Sequence, residues 1–352
     1  MRWTPGCGKV KGTTMQKILE VKDLRTSFFT HLGEVEAVRG VSFSMNEGDI
    51  LGIVGESGSG KSVTALSIIK LIETPGKIID GSVTFGGKDL AKLSNREMSD
   101  VRGKEIAMIF QDPMTSLNPV FTIQNLMVEV IRRHTGMTSA QAKARSIEML
   151  KLVGIPQPEE RVSAYPFEFS GGMRQRVMIA TALSCAPKLL IADEPTTALD
   201  VTIQAQILDL MKKLQKEFGT SFIIITHNLG VIAEICTHVI VMYGGMIMEM
   251  GEVNEIYYEA KHPYTIGLQH SIPRLDLEQK KRLKPIKGSP PDLLAPPKGC
   301  PFSPRCNYAM QICLEQAAPL FEISPTHKSS CWLMHDDAPK VDEISKGSGR
   351  SG

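Results

Sequence analysis

Residues 55–62 read GESGSGKS, which matches the phosphate-binding pattern G-x-x-x-x-G-K-[ST]. The continuous apolar run at residues 49–54 is typical of a buried strand, and residues 62–72 continue with helical apolar spacing. Glycines in a turn between a strand and a helix let backbone N–H groups point at phosphate, and the helix start adds partial positive charge. The stretch therefore predicts a nucleoside triphosphate site with Gly55, Ser57, Gly58 and Gly60 in its cradle.

The last two positions of this loop predict particular ligand contacts. We expect Lys61 to reach the β- and γ-phosphates and Ser62 to coordinate Mg²⁺. The alternative is an accidental glycine-rich turn, but four fixed positions match by chance in only about 1% of chains of this length.

A second candidate element is the apolar stretch LLIADE at residues 189–194, which ends in two carboxylates. Carboxylates at the end of a buried strand are costly unless a cation, water or hydrogen-bond donors compensate them. We expect Asp193 to hold Mg²⁺ through water and Glu194 to act as the general base that polarises the attacking water. A solvated acidic loop is the alternative, and the neighbouring phosphate loop disfavours it.

Composition bounds the class of protein. The chain has 352 residues with 40 Lys and Arg against 38 Asp and Glu, so a formal net charge of +2 gives no electrostatic reason to expect nucleic-acid binding. No run of 18 apolar residues occurs, so no segment of the sequence is expected to span a bilayer. Strand-like and helical segments alternate from about residue 18 to residue 251, which indicates an α/β fold. Further strands are predicted at 106–110, 221–225 and 238–242, and helices at 138–154 and 201–218.

Four further stretches separate the classes of phosphate-loop protein. Residues 169–176, FSGGMRQR, resemble the signature motif of ATP-binding cassette (ABC) ATPases, although most members have glutamine where this chain has Met173. Gln111 follows a predicted strand and resembles the Q-loop glutamine, residues 197–200 (TALD) resemble the D-loop, and His227 resembles the switch histidine. Because these stretches occur in the family's order, the chain is identified as a member of the ABC ATPases.

The resemblance implies a fold and a mechanism. The implied fold over residues 18–255 is a P-loop ABC nucleotide-binding domain with a RecA-like core, an antiparallel β subdomain, and a helical signature subdomain at about 115–180. Two cassettes are expected to sandwich ATP, so that Ser170, Gly171 and Gly172 of one contact the nucleotide bound to the loop of the other. The resemblance also implies that Phe28 stacks on adenine, that Gln111 joins Ser62 and Asp193 at Mg²⁺, and that Gln111, Glu194 and His227 serve catalysis.

Three stretches resemble one branch of the family, the oligopeptide and dipeptide importer ATPases. They are QDPMTSLNP at 111–119, HPYT at 262–265 and GCPFSPRC at 299–306. The branch implies a peripheral subunit on the cytoplasmic face of the cell membrane. Its expected partners are two permease subunits, a second ABC ATPase subunit (the same or different) and, indirectly, an extracytoplasmic solute-binding protein. Residues 111–121 are expected to line the groove that receives a permease helix.

Other functions remain open from the sequence. Related importers carry nickel chelates or other solutes, and the substrate is not encoded in this subunit. A soluble ABC ATPase acting on nucleic acid is disfavoured by the balanced charge and the absence of long coiled-coil segments. A regulatory cassette that binds ATP without cleaving it is disfavoured by the presence of Glu194 and His227.

Composition changes after about residue 255. Twelve of the 21 prolines lie between Pro263 and Pro339, so residues 256–335 are expected to form a small loop-rich C-terminal extension. Four cysteines within it are spaced x5, x6 and x17, without the short C-x₂₋₄-C spacing usual for zinc. Resemblance to dipeptide importers implies a 4Fe-4S cluster, while zinc and free thiols are the alternatives. The four are Cys300, Cys306, Cys313 and Cys331.

The two ends of the chain carry no recognisable chemistry. Residues 1–17 are expected to form a disordered leader, because the first 14 are basic and glycine-rich without an apolar core. Residues 336–352 end in KGSGRSG and are expected to form a flexible tail.

Overall fold

The computed structural model describes most of the chain. The described residues are 16–112, 116–197, 199–271, 286–341 and 344. Predictions for the first 15 residues and for the C-terminal residues 345–352 therefore lie outside them.

The strands, numbered in chain order, form two sheets in the described residues. Their bounds are β1 Lys17–Thr30, β2 Gly33–Asn46, β3 Ile50–Val54, β4 Gly76–Phe85, β5 Lys88–Asp89, β6 Ile106–Ile109, β7 Leu189–Asp193, β8 Ser221–Thr226, β9 His238–Tyr243, β10 Met246–Glu252, β11 Phe321–Glu322 and β12 Lys328–Ser329. The first sheet has the order β2-β1-β4-β5 and is antiparallel. The second has the order β11-β12-β10-β9-β3-β8-β7-β6.

Some of the described α-helices pack against the sheets. Those between residues 123 and 183 contact one another and form the helical subdomain. Their bounds are α1 Lys61–Ile68, α2 Asn95–Val101, α3 Ile123–Thr135, α4 Ser139–Leu152, α5 Pro158–Arg161, α6 Gly171–Leu183, α7 Val201–Phe218, α8 Leu229–Ile235, α9 Val253–Tyr258, α10 Pro263–His270 and α11 Gln311–Glu315. Helix α7 shows why these bounds hold. The Asp200 side chain accepts a hydrogen bond from the Ile203 amide at its start, and Gly219 ends it in the left-handed region at φ 66°.

The centre of the larger sheet is parallel and buried on both faces. Strands β9, β3, β8, β7 and β6 pair in parallel, and every residue of β3, β7 and β8 is buried. Alternate side chains point to opposite faces, so Val54 belongs to the core shared with the helical subdomain. Its neighbour Ile53 belongs to the core shared with the antiparallel sheet and α1. The continuous apolar runs in the sequence reflect this double burial.

The C-terminal extension contributes to the same sheet. Strand β12 pairs with β10, and β11 pairs with β12, so two short antiparallel strands extend the sheet beyond β10. Most of the remaining described extension is loop, as its prolines predict. Ile344 is buried with Ala260 and Ile266, so the chain still contacts the extension at this point of the predicted tail.

Candidate nucleotide-binding and catalytic site

The phosphate loop connects β3 to α1 and needs glycine at two described positions. Gly55 has φ 157° and Gly60 has φ 95°. A Cβ atom on Gly55 would lie 2.1 Å from the carbonyl oxygen of Met242, and one on Gly60 would lie 2.4 Å from that of Ala37. Neither oxygen can retreat easily because both belong to backbone, so a larger residue at either position would deform the loop.

Lys61 stands at the start of α1 with its side chain turned into the loop. It is 6% exposed, and its Nζ donates hydrogen bonds of 2.9 Å to the carbonyl oxygens of Gly55 and Glu56. Burial lowers the pKa of the Lys61 ammonium, and the charges of Glu194 and Asp193 oppose this shift. A buried ammonium held by two loop carbonyls is placed to bind an anion that enters the loop.

Ser62 and Asp193 form the pair that suits a divalent cation. The Ser62 hydroxyl donates a 3.0 Å hydrogen bond to Oδ1 of Asp193, which is 6% exposed at the end of β7. Burial raises the pKa of the Asp193 carboxyl, while the Ser62 hydrogen bond lowers it. Two adjacent hard oxygen ligands in a buried position fit Mg²⁺, which takes one or two protein oxygens and keeps water and phosphate as its other ligands.

Glu194 is the meeting point of the remaining sequence-predicted catalytic residues. Its carboxylate accepts a hydrogen bond from Gln111 Nε2 at 3.1 Å and from Thr197 Oγ1 at 2.7 Å, and lies 3.2 Å from Nδ1 of His227. Its φ of 47° lies in the left-handed region, where a non-glycine residue is strained. The structure thus brings Gln111, Glu194 and His227 together from the ends of β6, β7 and β8.

The environment of Glu194 keeps it ionised. Burial acts to raise the pKa of the Glu194 carboxyl, but hydrogen bonds from Thr197 and His227 outweigh that effect and leave it below its usual value. A carboxylate with a lowered pKa is available as a proton acceptor across the neutral pH range. The D-loop resemblance assigns Thr197 no role of its own. Its position three residues after Glu194, in the turn that follows β7, is the sequence feature that could have indicated this contact.

The signature residues form the start of α6. Ser170 caps α6 by accepting a 3.4 Å hydrogen bond from the Met173 amide. A Cβ on Gly172 would lie 2.9 Å from Ile203, so the start of α6 is adjacent to α7. Ser170 and Gly171 are exposed, which leaves this helix start open to a ligand from outside the chain.

The other predicted nucleotide contacts remain predictions. Phe28 is half-buried in β1, and its ring lies beside Gly76, while the adjacent Phe29 is 44% exposed. Ser57 is exposed in the loop, and Gly58 has φ 76° with open space around its Cα.

The predicted iron–sulfur cluster is wrong. Within the parts of the chain that the structure describes, no group of three or more His, Cys, Asp or Glu side chains is placed to hold a metal ion. Burial raises the pKa of Cys300 to about 11 and that of Cys331 to about 12. Nothing in the described residues supports the zinc alternative either.

The cysteines instead belong to the packing of the extension. All four line one cavity of about 20 Å³, together with His262, Phe302 and Trp332. They are free thiols. A cavity of this size has room for about one water molecule. Buried thiols of this kind act as small apolar groups. The four are Cys300, Cys306, Cys313 and Cys331.

Comparison with known proteins places this geometry in a family. Residues 38–197 match the family described as ABC transporter, and residues 248–313 match the oligopeptide/dipeptide transporter C-terminal region. The oligopeptide transport ATP-binding protein OppD of Bacillus subtilis is 58% identical over 93% of this chain and 91% of its own length. The chain belongs to the ABC transporter ATPases. The fold class and the peptide-transporter branch predicted from the sequence are confirmed.

Further relatives support this membership in the ABC transporter family. OppD of Salmonella typhimurium is 53% identical over 90% of this chain and 93% of its own length. The dipeptide transport ATP-binding protein DppD of Bacillus subtilis is 51% identical over 92% and 97%. A solved dimeric ATP-binding cassette in a post-hydrolysis state, bound to ADP and phosphate, has a TM-score of 0.60 and 27% identity, covering 67% of this chain and 98% of that one.

Proposed function

We propose that this chain hydrolyses ATP to power the import of oligopeptides or dipeptides. The printed names of its relatives, oligopeptide and dipeptide transport ATP-binding proteins, support the peptide class. The match to the transporter C-terminal region supports the same branch. Import of nickel or other solutes, and action on nucleic acid, are not favoured by these relatives.

The proposed reaction follows from the chain's own groups. Lys61 exchanges its loop carbonyls for phosphate oxygens and holds the triphosphate in place. Ser62 and Asp193 would hold Mg²⁺, which would supply positive charge to offset that of the phosphates. Glu194 accepts a proton from the attacking water, while Gln111 and His227 orient that water and the γ-phosphate. Water attacks phosphorus, the bond to the β-phosphate oxygen breaks, and ADP and phosphate leave.

A second cassette completes the proposed site. The exposed start of α6, with Ser170, Gly171 and Gly172, suits the γ-phosphate of a nucleotide bound to the partner subunit. The dimeric solved cassettes to which this chain is similar support that arrangement. ATP then favours the closed dimer and hydrolysis releases it, which is a two-state switch.

The proposed attachment to the membrane is through permease subunits. In the described part of the chain no helix is long and apolar enough to cross a bilayer. The structure has a surface cavity of about 710 Å³ that is lined by Phe121, Asn125, Val128 and Arg132 among others. Phe121 is 46% exposed and Val120 70%. This open groove has a mixed polar and apolar lining, and Phe121 is the one described residue of the predicted segment 111–121 in that lining. Such a groove suits an amphipathic permease helix on the cytoplasmic side, with the solute-binding protein acting indirectly from the other side.

The observation that carries the proposal is the convergence of Gln111, Thr197 and His227 on one ionised carboxylate, Glu194, next to the phosphate loop. The test is a Glu194→Gln variant of the full chain, reconstituted in vesicles with its permeases, solute-binding protein and second cassette. We expect the ATP hydrolysis rate to fall by about 100-fold or more while ATP binding is retained.

The uptake measurement separates the substrate classes. Tri- and tetrapeptides, a dipeptide and a nickel chelate are each offered to the same vesicles. Peptide-stimulated hydrolysis and uptake by the unaltered chain, both lost in Glu194→Gln, support the proposal. Glu217→Gln, a matched change on the exposed face of α7, is expected to keep both. Equal hydrolysis in Glu194→Gln and the unaltered chain would overturn the catalytic assignment, and uptake of the nickel chelate alone would overturn the peptide assignment.

A further inference from the structure

The C-terminal extension makes an ion pair with the phosphate loop itself. Arg305, 249 positions away in sequence, donates to the Glu56 carboxylate from Nη1 at 2.7 Å and from Nη2 at 3.1 Å. The Arg305 side chain is 6% exposed and that of Glu56 is 24% exposed. Two parallel hydrogen bonds of this kind fix the orientation of both groups, unlike an ordinary surface ion pair.

Arg305 is itself held firmly by the extension. Its Nε donates to the carbonyl oxygen of Lys287 at 2.9 Å, and its Nη2 donates to that of Ile286 at 3.2 Å. Its guanidinium also donates to the hydroxyl of Tyr243 at 2.9 Å and lies 5.9 Å from the centre of the Phe302 ring. The position of the guanidinium is therefore set before any nucleotide binds.

A second extension residue holds the backbone of the same loop residue. The Glu56 amide donates a 2.8 Å hydrogen bond to the hydroxyl of Tyr264, which is fully buried at the start of α10. The carbonyl of Glu56 in turn accepts from Lys61 at 2.9 Å. The extension thus contacts both the amide and the side chain of the residue whose carbonyl binds the phosphate-binding lysine.

Charge gives this contact a consequence for ATP. Burial lowers the pKa of the Lys61 ammonium, and the nearby Glu56 carboxylate is one of the negative charges that oppose this shift. A bare carboxylate on the phosphate loop would repel a triphosphate, and the positive charge of Arg305 neutralises that carboxylate. We propose that Arg305 and Tyr264 are positioning residues for ATP binding: they hold Glu56 in place, and Arg305 screens its charge from the phosphates.

Independent contacts tie the extension to the neighbouring strand. Arg39 of β2 donates to the carbonyl oxygen of Pro297 at 2.9 Å, and the Glu36 amide donates to that of Leu293 at 3.0 Å. Strand β2 also carries Ala37, whose carbonyl lies against Gly60 of the loop. The extension therefore supports the phosphate loop from two sides.

The test uses the two halves of the ion pair, because the proposal gives them opposite effects. In Arg305→Met the bare carboxylate remains, and we expect the dissociation constant of Mg-ATP to rise about tenfold. In Glu56→Gln the positive charge remains, and we expect the dissociation constant to fall. The double variant Arg305→Met/Glu56→Gln is expected to return to within about threefold of the unaltered chain. Titration calorimetry on the full chain at low and high salt measures all three.

A purely structural ion pair behaves differently. Both single variants would then weaken ATP binding together with thermal stability, and the double variant would show no rescue, which would overturn the proposal. If Arg305→Met does not fold, Glu56→Gln and Arg305→Lys provide the test. Weaker ATP binding in Glu56→Gln would overturn the proposed charge screening. Unchanged ATP binding in Arg305→Lys would show that the bidentate hydrogen bond is not required.

Two further variants complete the test. Lys328→Met removes the ion pair with Glu322 elsewhere in the extension and is expected to leave the dissociation constant unchanged. Tyr264→Phe removes the hydroxyl that accepts from Glu56 while keeping the ring. We expect a weaker affinity for ATP with an unchanged salt dependence, because no charge is lost. An unchanged affinity in Tyr264→Phe would remove Tyr264 from the proposal.

Discussion

The ATPase core and the C-terminal extension are built on different principles. In the core, apolar strands such as β7 and β8 run through the middle of a sheet, and each reactive residue follows directly at a strand end. In the extension, short elements are joined by buried polar contacts. His327 of the extension, for example, is buried, and its Nε2 lies 2.7 Å from the fully buried carboxylate of Glu249 on β10 of the core. The site residues of the core lie next to the strands that position them, whereas the extension depends on contacts between residues far apart in the sequence.

The largest effect should come from the core. Lys61→Ala removes the ammonium that is proposed to bind phosphate. The dissociation constant of Mg-ATP is expected to rise about 100-fold, because two charge-assisted hydrogen bonds from this ammonium to the phosphates are lost. Calorimetric titration measures it, and thermal melting without nucleotide is expected to change little. Lys216→Ala, an exposed lysine of α7, is the matched control. Tight ATP binding by Lys61→Ala would contradict the placement of the phosphate site.

The corresponding change at the contact between the core and the extension should act on stability instead. The Glu249 carboxylate accepts from His327 and from the amides of Lys261 and His262. Glu249→Ala leaves these buried donors without a partner, and we expect a loss of about 3 to 5 kcal/mol in the free energy of unfolding. Urea unfolding measures it.

Two controls sharpen that comparison. Glu322→Ala, an exposed acid on β11, is expected to change the free energy of unfolding by less than about 1 kcal/mol. At a temperature where Glu249→Ala is folded, its affinity for ATP is expected to stay within about threefold of the unaltered chain. If Glu249→Ala lost ATP binding but kept its free energy of unfolding, the contact between core and extension would serve nucleotide binding rather than stability, contrary to the expected difference between the two regions.

The smallest effect concerns the pH dependence of hydrolysis. The Thr197 hydrogen bond helps to keep the pKa of Glu194 below its usual value, so the active carboxylate persists as the pH falls until that lowered pKa is reached. In Thr197→Val the pKa rises, and activity is lost at a higher pH during acidification. We expect the rate at neutral pH to fall about fivefold or less.

The fall in hydrolysis rate on the acidic side of the pH–rate profile, its acid limb, measures this change in the pKa of Glu194. Thr84→Val, the same change on β4, should leave the profile unaltered. An acid limb that moves to lower pH in Thr197→Val would have the wrong sign for the proposed hydrogen bond.

The sequence predicted the core well because its signals are local. The predicted strand at 49–54 is observed as Ile50–Val54, and the predicted helix at 201–218 is observed as Val201–Phe218. Parallel strands place their carboxyl ends at one edge of the sheet, so Gln111, Glu194 and His227 could be expected to meet there.

The remaining structure could not be predicted because its signals are weak or distant. The full extent of strand β1 could not be predicted, since bulges along Lys17–Thr30 break its alternation of polar and apolar residues. Strands β11 and β12 have two residues each and carry no periodic pattern. Arg305 and Glu56 are 249 positions apart, and nothing near either residue indicates their pairing. The resemblance to dipeptide importers implied a metal centre at the four cysteines, whereas the described residues contain no group of three or more His, Cys, Asp or Glu side chains placed to hold a metal ion.

The pairing of β12 with β10 has a consequence for how the chain is made. An uncovered strand at the edge of a sheet is a template for pairing with another chain. During synthesis β10 leaves the ribosome long before Lys328–Ser329 can cover it. The nascent subunit therefore carries an open edge at β10 until the C-terminal extension has been translated, and among the described strands the two-residue β11 then ends the sheet with too little backbone to recruit a neighbour.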